Sequence, residues 1–123
     1  MLAWSVPDQN LDISYVQNYS RNLPHTYMAH ISDSGKHVGM MHLNHEGVVN
    51  GIDVHPDHRR QGIASTMWQV AEQAAKENKD IPAPQHSERR TVSGDKFAKA
   101  IGGDLPKRSP VSQEQFRATR WRE

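Results

Sequence analysis

The segment from Val48 to Asn78 constrains this chain more than any other. Val48-Val49-Asn50-Gly51-Ile52-Asp53-Val54 reads as a strand that ends at His55-Pro56. A short basic turn holding Arg59 and Arg60 follows, and then a glycine, Gly62, where a long helix begins. That helix is predicted over residues 61–78. Ile63, Met67, Val70, Ala71, Ala74 and Ala75 recur at helical spacing, with Gln69, Glu72, Gln73, Lys76 and Glu77 on the other face. Pro82 prevents its continuation. The first amides of a helix have no intrahelical acceptor, so they form a ready anion site. Glycine lets a phosphate approach the backbone, and two arginines add positive charge to the same turn. Together these are the physics of a pyrophosphate cradle.

The remainder of the chain supplies a sheet for that helix. Leu2–Val6 roughly alternates and stops at Pro7, as a short strand does. Residues 8–24 admit two readings. Leu11, Ile13 and Tyr15 alternate like a strand, whereas Ile13, Val16 and Tyr19 would line one face of a short helix, and Pro24 closes the segment. Tyr27, Ala29 and Ile31 alternate again; Asp33-Ser34-Gly35-Lys36 is turn chemistry; Val38–Leu43 is the partner strand of a hairpin. Asn44-His45-Glu46-Gly47 makes the next turn, into the strand at residues 48–54. Past the helix, Ile81-Pro82-Ala83-Pro84 is expected to be extended. A second helix is expected from about Ser93 to Ile101, stopped by Gly102-Gly103. The expected domain division is a single domain over residues 1–103 and a loosely packed basic tail over residues 104–123.

Composition narrows the class. The chain has 123 residues, enough for one domain. Hydrophobic residues make up 35% and mean hydropathy is −0.83, so the core is modest. No apolar run approaches the roughly 18 residues of a membrane helix, and the first residues lack the basic and apolar regions of a secretory signal. There is no cysteine, which removes disulfide scaffolds, thiol catalysis and cysteine-ligated zinc. A cytoplasmic location is the expectation. The net charge of +1 divides into −4 over residues 1–57 and +5 over residues 58–123. Gathered basic charge suits an anionic ligand, either nucleic acid or a phosphorylated cofactor.

The order strand, proline, basic loop, Arg59-Arg60-Gln61-Gly62-Ile63-Ala64 and amphipathic helix resembles the GNAT superfamily of N-acetyltransferases. That family's signature is Gln or Arg, two residues, Gly, one residue, then Gly or Ala, after a strand ending in Val-x-Pro. Its short members on bacteriophages and mobile elements are similar to this chain in the polar His-Ser…Arg-Thr stretch of residues 86–91. The resemblance implies an α/β (α+β) fold: a mostly antiparallel mixed sheet flanked by helices, with the family's two early helices curtailed. It implies acetyl-coenzyme A as co-substrate, lying where the strand of residues 48–54 splays from an extended segment near residues 81–86. The pantetheine arm would bond the main chain of Ile52, Asp53 and Val54. The pyrophosphate would sit on the amides of Gln61, Gly62, Ile63 and Ala64, with Arg59, Arg60 and Ser65 assisting.

The implied reaction is direct attack of a primary amine on the thioester. A base must first take a proton from the amine, and Asp53, Glu46 and His55 are the candidates near the site. A tyrosine of the last helix commonly protonates the departing thiolate in this family. Here residues 93–101 contain none, and the three tyrosines, Tyr15, Tyr19 and Tyr27, all lie upstream. His86 and Ser87 are the candidate donors, with Ser93 beside them. Eight histidines include two pairs at three-residue spacing, His42/His45 and His55/His58, but surface histidines of a polar protein account for them and no metal is expected. The expected partner is a small-molecule or peptide amine, with no membrane and with nucleic acid the lesser alternative, for a monomer or homodimer. Two rival functions stand beside acetyl transfer. One is a coenzyme A-binding or interaction module without turnover, and the other is a nucleic-acid-modifying member on the same scaffold.

Overall fold

The computed structural model describes residues 2–86, together with 89–90, 99, 101 and 109–110. Five strands form one antiparallel meander: β1 (Leu2–Val6), β2 (Leu11–Ser20), β3 (Leu23–Ile31), β4 (His37–Leu43) and β5 (Val49–Val54), in that spatial order. A helix, α1 (Ile63–Glu77), packs on one face of the sheet. Single 3-10 turns occupy Pro7–Gln9 and Pro56–His58. A two-residue parallel pair joins β6 (Arg89–Arg90) to β7 (Ser109–Pro110). This is the small α+β domain that the sequence implies, with a sheet that is antiparallel throughout β1–β5.

Cross-strand register explains where α1 lies. Directly opposed residues share a sheet face. Tyr15, Tyr27, Met41 and Ile52 therefore form one row across β2–β5, and Ile13, Ala29, Gly39 and Val54 form the next. The second row is low, because it holds alanine and glycine at its centre. Ile63 and Met67 of α1 pack onto Gly39 and the neighbouring Ala29. Ile63, Met67, Trp68, Val70, Ala71 and Ala74 are all buried. Burying a large apolar side chain is worth about 1.5–3 kcal/mol, so tertiary packing rather than helix propensity holds α1 in place.

The two readings of residues 8–24 resolve in favour of strand. Leu11, Ile13 and Tyr15 are buried against the core, while Tyr19, which the helical reading placed on an apolar face, is half exposed. β2 is paired on both sides, by β1 and by β3, and that pairing outweighs the helical spacing. Pro24 does not close a segment. It is the second residue of β3, at the entry of a strand, where a missing N–H is tolerated. The early helices, expected in curtailed form, do not occur: among residues 2–62 there are only strands and two single 3-10 turns. The expected helix over residues 93–101 and most of the tail over 104–123 lie outside the described residues.

Candidate functional site

Among the described strands β5 pairs with β4 on one side only, which leaves its other edge without a paired strand. Near its start that edge is closed. Val49 N–H donates to Gln85 O at 2.9 Å, and Gln85 N–H donates to Gly47 O at 2.9 Å, making a parallel bridge between Val48 and Gln85. Gly47 has φ 91, and a Cβ there would lie 2.3 Å from Ala83 O. Only glycine allows residues 82–85 to come this close. Asn44 Oδ1 completes the turn by accepting from the backbone N–H of Glu46 and Val48.

Past this bridge the edge opens. His55 N–H donates to Val38 O of β4 at 2.8 Å. Because main-chain groups alternate in direction along a strand, those of Asp53 also face β4, and those of Ile52 and Val54 face the open edge. Among the described residues no backbone group pairs with Ile52 or Val54 there. A side chain does reach this edge: Arg59 Nε donates to Val54 O at 3.2 Å, which draws the guanidinium back over the end of β5. A bulge between His42 and Leu43 of β4 leaves Asn50 as the extra residue of β5.

The open edge leads into the turn before α1. Arg60 has φ 64 and Gly62 has φ 78, so two residues of this turn are left-handed. Gly62 is the N-cap, and among the described residues no side chain caps the helix. Its carbonyl accepts from Thr66 N–H at 2.9 Å, the first turn of the helical ladder. Arg59, Arg60, Gln61 and Gly62 are exposed, whereas Ala64 and Ser65 are half-buried. The structure thus brings Ile52, Val54, Arg59, Arg60, Gln61, Gly62, Ile63, Ala64 and Ser65 into one continuous stretch. Of the nine, the side chains of Ile52, Val54 and Ile63 are turned into the core beneath. Asp53 differs from the expected main-chain ligand: its amide and carbonyl are turned to β4, and its side chain lies opposite Met40 on the face away from α1.

The candidate catalytic groups scatter along this edge. Asp53 is half-buried, two residues from Gly51. Glu46 is exposed in the turn beyond the closed end, where its carbonyl accepts from Gln85 Nε2 at 3.1 Å. His55 is at the opposite end. Its Nδ1 accepts from Asp57 N–H at 3.1 Å, so that nitrogen carries no proton and its 3.9 Å approach to the Asp57 carboxylate is not an ion pair. At about 3.3 Å per residue His55 stands roughly 13 Å along the strand from Gly51. His86 is buried and stacks on Trp68 of α1, with ring centroids 4.2 Å apart and planes 14° from parallel. Ser87 and Ser93 lie outside the described residues.

Sequence reasoning passed over Gln9, which the structure brings to this region. Gln9, from the turn between β1 and β2, donates from Nε2 to Gln61 O at 3.3 Å and accepts at Oε1 from Thr66 Oγ1 at 2.6 Å. Contacts of 52 and 57 residues' separation leave no local pattern to read. His42 stands opposite Gly51, with Nδ1 2.9 Å from Thr26 Oγ1. Further along the core face, Tyr15 Oη and His25 Nδ1 are 2.5 Å apart. Burial holds the His25 pKa below its ordinary value, and His45 lowers it further. Burial also raises the pKa of Tyr15.

Among the described residues no group of three or more histidine, aspartate or glutamate side chains is placed to hold a metal. Among the same residues no helix is long and apolar enough to cross a membrane. Compared with known families, residues 2–83 match the family model described as the acetyltransferase (GNAT) family, about two thirds of the chain. No curated protein and no solved structure matches the chain.

Proposed function

The chain belongs to the acetyltransferase (GNAT) family, and from that premise we propose that it moves an acetyl group from acetyl-coenzyme A to a primary amine. The observation that carries this reading is the continuity of the open edge of β5 with the uncapped first turn of α1. Main-chain groups of Ile52 and Val54 suit an amide-bearing pantetheine arm, which hydrogen-bonds as an added strand would. The amides of Gly62, Ile63, Ala64 and Ser65 suit the pyrophosphate, with Arg59 and Arg60 supplying charge. An arm laid from that turn along β5 must end before Val49, because Gln85 occupies the edge from there on. The reacting thioester therefore belongs near Asn50 and Gly51.

The chemistry follows from that position. A protonated amine gives up one proton to a base, and its free lone pair attacks the thioester carbon. The C–N bond forms, the C–S bond breaks, and the thiolate leaves with a proton of the attacking nitrogen or of a nearby acid. Of the three candidate bases, Asp53 is nearest to Gly51 along the strand and sits on the face opposite α1. His55 is at the phosphate end and Glu46 beyond the closed end, so each serves this step less well. His86, on the α1 face beside the closed end, is the candidate proton donor, with Ser87 next in sequence. Holding amine and thioester together is itself a large part of the rate. A cytoplasmic location accompanies the use of acetyl-coenzyme A.

Coenzyme A release with a panel of primary amines tests the proposal, beginning with whatever copurifies with the protein as identified by mass spectrometry. Release that requires both an amine and the protein is expected. Release no faster than the blank across the panel, with coenzyme A demonstrably bound, would contradict transfer and leave a binding module.

A further inference from the structure

The geometry points to Gln9 as a positioning residue for the phosphate-binding turn, an inference that rests on the coenzyme A reading above. The side-chain amide of Gln9 spans the turn. Nε2 donates to Gln61 O, and Oε1 accepts from the Thr66 hydroxyl. The amide orientation is settled by chemistry: a carbonyl only accepts, so the NH2 group must face Gln61 O. The Thr66 hydroxyl has one proton and two acceptors in reach, Gln9 Oε1 at 2.6 Å and Gly62 O at 2.9 Å. Gly62 O is already satisfied by Thr66 N–H, so the shorter bond to Gln9 takes the hydroxyl proton.

Holding the Gln61 carbonyl has a consequence for the next amide. A trans peptide is planar, with C=O and N–H on opposite sides. Gln61 C=O drawn toward Gln9 therefore turns Gly62 N–H away from Gln9. Left-handed Gly62, with φ 78, follows this peptide, and a glycine gives little steric resistance to the peptide flipping over. Gln9 supplies that resistance from outside the turn. It is itself well held. Asn10 beside it closes the 3-10 turn onto Pro7 O, accepts at its carbonyl from Ser32 N–H at 2.9 Å, and bonds Asp33 Oδ2 through Nδ2 at 3.1 Å. The β1–β2 turn, braced on the β3–β4 turn, thus fixes the direction of the first amide offered to the anion. A neutral carboxamide suits the task, since it both donates and accepts and brings no negative charge near a phosphate.

Titration calorimetry with coenzyme A on the full chain tests this, with melting curves of the free proteins alongside. Gln9→Ala is expected to weaken coenzyme A binding roughly tenfold, the scale of one lost hydrogen bond to a charged group. Gln9→Glu is expected to weaken it further, with a loss that shrinks as salt is added. Thr66→Ser, which keeps the hydroxyl, is expected to bind within twofold of wild type, and Thr66→Val to resemble Gln9→Ala. The Gly62 amide signal in NMR spectra of the free protein is expected to move in Gln9→Ala, which a general loss of stability does not cause. Gln9→Ala binding within twofold of a wild type that binds well would overturn the role of Gln9 and leave the cofactor reading intact. Should Gln9→Ala fail to fold, the Thr66→Val and Thr66→Ser pair decides the matter by the same criterion. A wild type that does not bind coenzyme A would overturn the reading beneath it.

Discussion

The two ends of β5 are both marked by a glycine of positive φ, and the two glycines answer to different demands. At the start of the strand Gly47 is packed: a Cβ would lie 2.3 Å from Ala83 O, inside the contact that lets Gln85 close the edge. Beyond the end of the strand, at Gly62, a Cβ would meet nothing nearer than Gln9 Nε2 at 3.5 Å. Packing therefore requires glycine at Gly47 and does not at Gly62, where backbone conformation is the observed demand and the approach of an anion the proposed one. A small sheet makes a directional cleft in this way. One end is sealed by its own backbone, and the other leads to amides that no side chain caps among the described residues.

Substituting the second glycine should produce the largest separation between binding and folding. Gly62→Glu adds a side chain and a like charge where the phosphate is proposed to lie. We expect coenzyme A binding to fall by more than a hundredfold in calorimetry, while the left-handed backbone costs only about 1–2 kcal/mol in urea unfolding. At the sealed end the ordering should reverse. Gly47→Ala should destabilise the fold by roughly 2–3 kcal/mol, because strand closure must shift to relieve a backbone contact. Its coenzyme A affinity, measured where the protein is folded, should change less than that of Gly62→Glu. Equal effects of the two substitutions on affinity would erase the contrast.

Between the two ends of β5 stands Asp53, the proposed base. Asp53→Asn keeps shape and removes basicity. Its kcat near pH 7 should fall about a hundredfold, the usual worth of general-base assistance, with coenzyme A affinity unchanged. A kcat within threefold of wild type would remove Asp53 from the reaction.

The smallest effect concerns pH at the sealed end. His25, opposite Leu43 of β4, is held below its ordinary pKa by burial and by His45, and it faces Tyr15. The unfolded chain then binds more protons than the native one between the lowered native pKa and about 6.5. Stability should be level above pH 6.5 and decline as pH falls below it. Melting temperatures from pH 8 to 5 measure this, and His25→Gln should flatten the decline. A wild-type curve that is level across that range would contradict it.

Much of this was legible in the sequence, for reasons that are local. The Val54-His55-Pro56 stop, the Arg59–Ala64 turn and the 3.6-residue period of α1 are each contained within a few consecutive residues, and α1 begins at Ile63, two residues inside the predicted range. The hairpins around Gly35 and Gly47 were equally plain. β2 was not, because Ile13, Val16 and Tyr19 satisfy a helical period, and only pairing with β1 and β3 decides against it. The direction of the Asp53 main chain was hidden for a similar reason: it depends on the register with Met40. Gln9 was invisible, since its importance lies in contacts more than fifty residues away. Local chemistry announces the turn before α1, while long-range register determines what braces it and which groups of β5 face the open edge.

Coenzyme A is proposed to lie along the open edge of β5 with its pyrophosphate on the first turn of α1. Backbone amide NMR of the full chain, titrated with coenzyme A, tests it most directly. The largest shifts are expected at Gly62, Ile63, Ala64 and Ser65, a second set at Ile52 and Val54, and little change at Val48 and Val49, where Gln85 already holds the edge. Saturating coenzyme A that leaves the amides of residues 62–65 unmoved, or that shifts the β1–β2 face of the sheet instead, would contradict it.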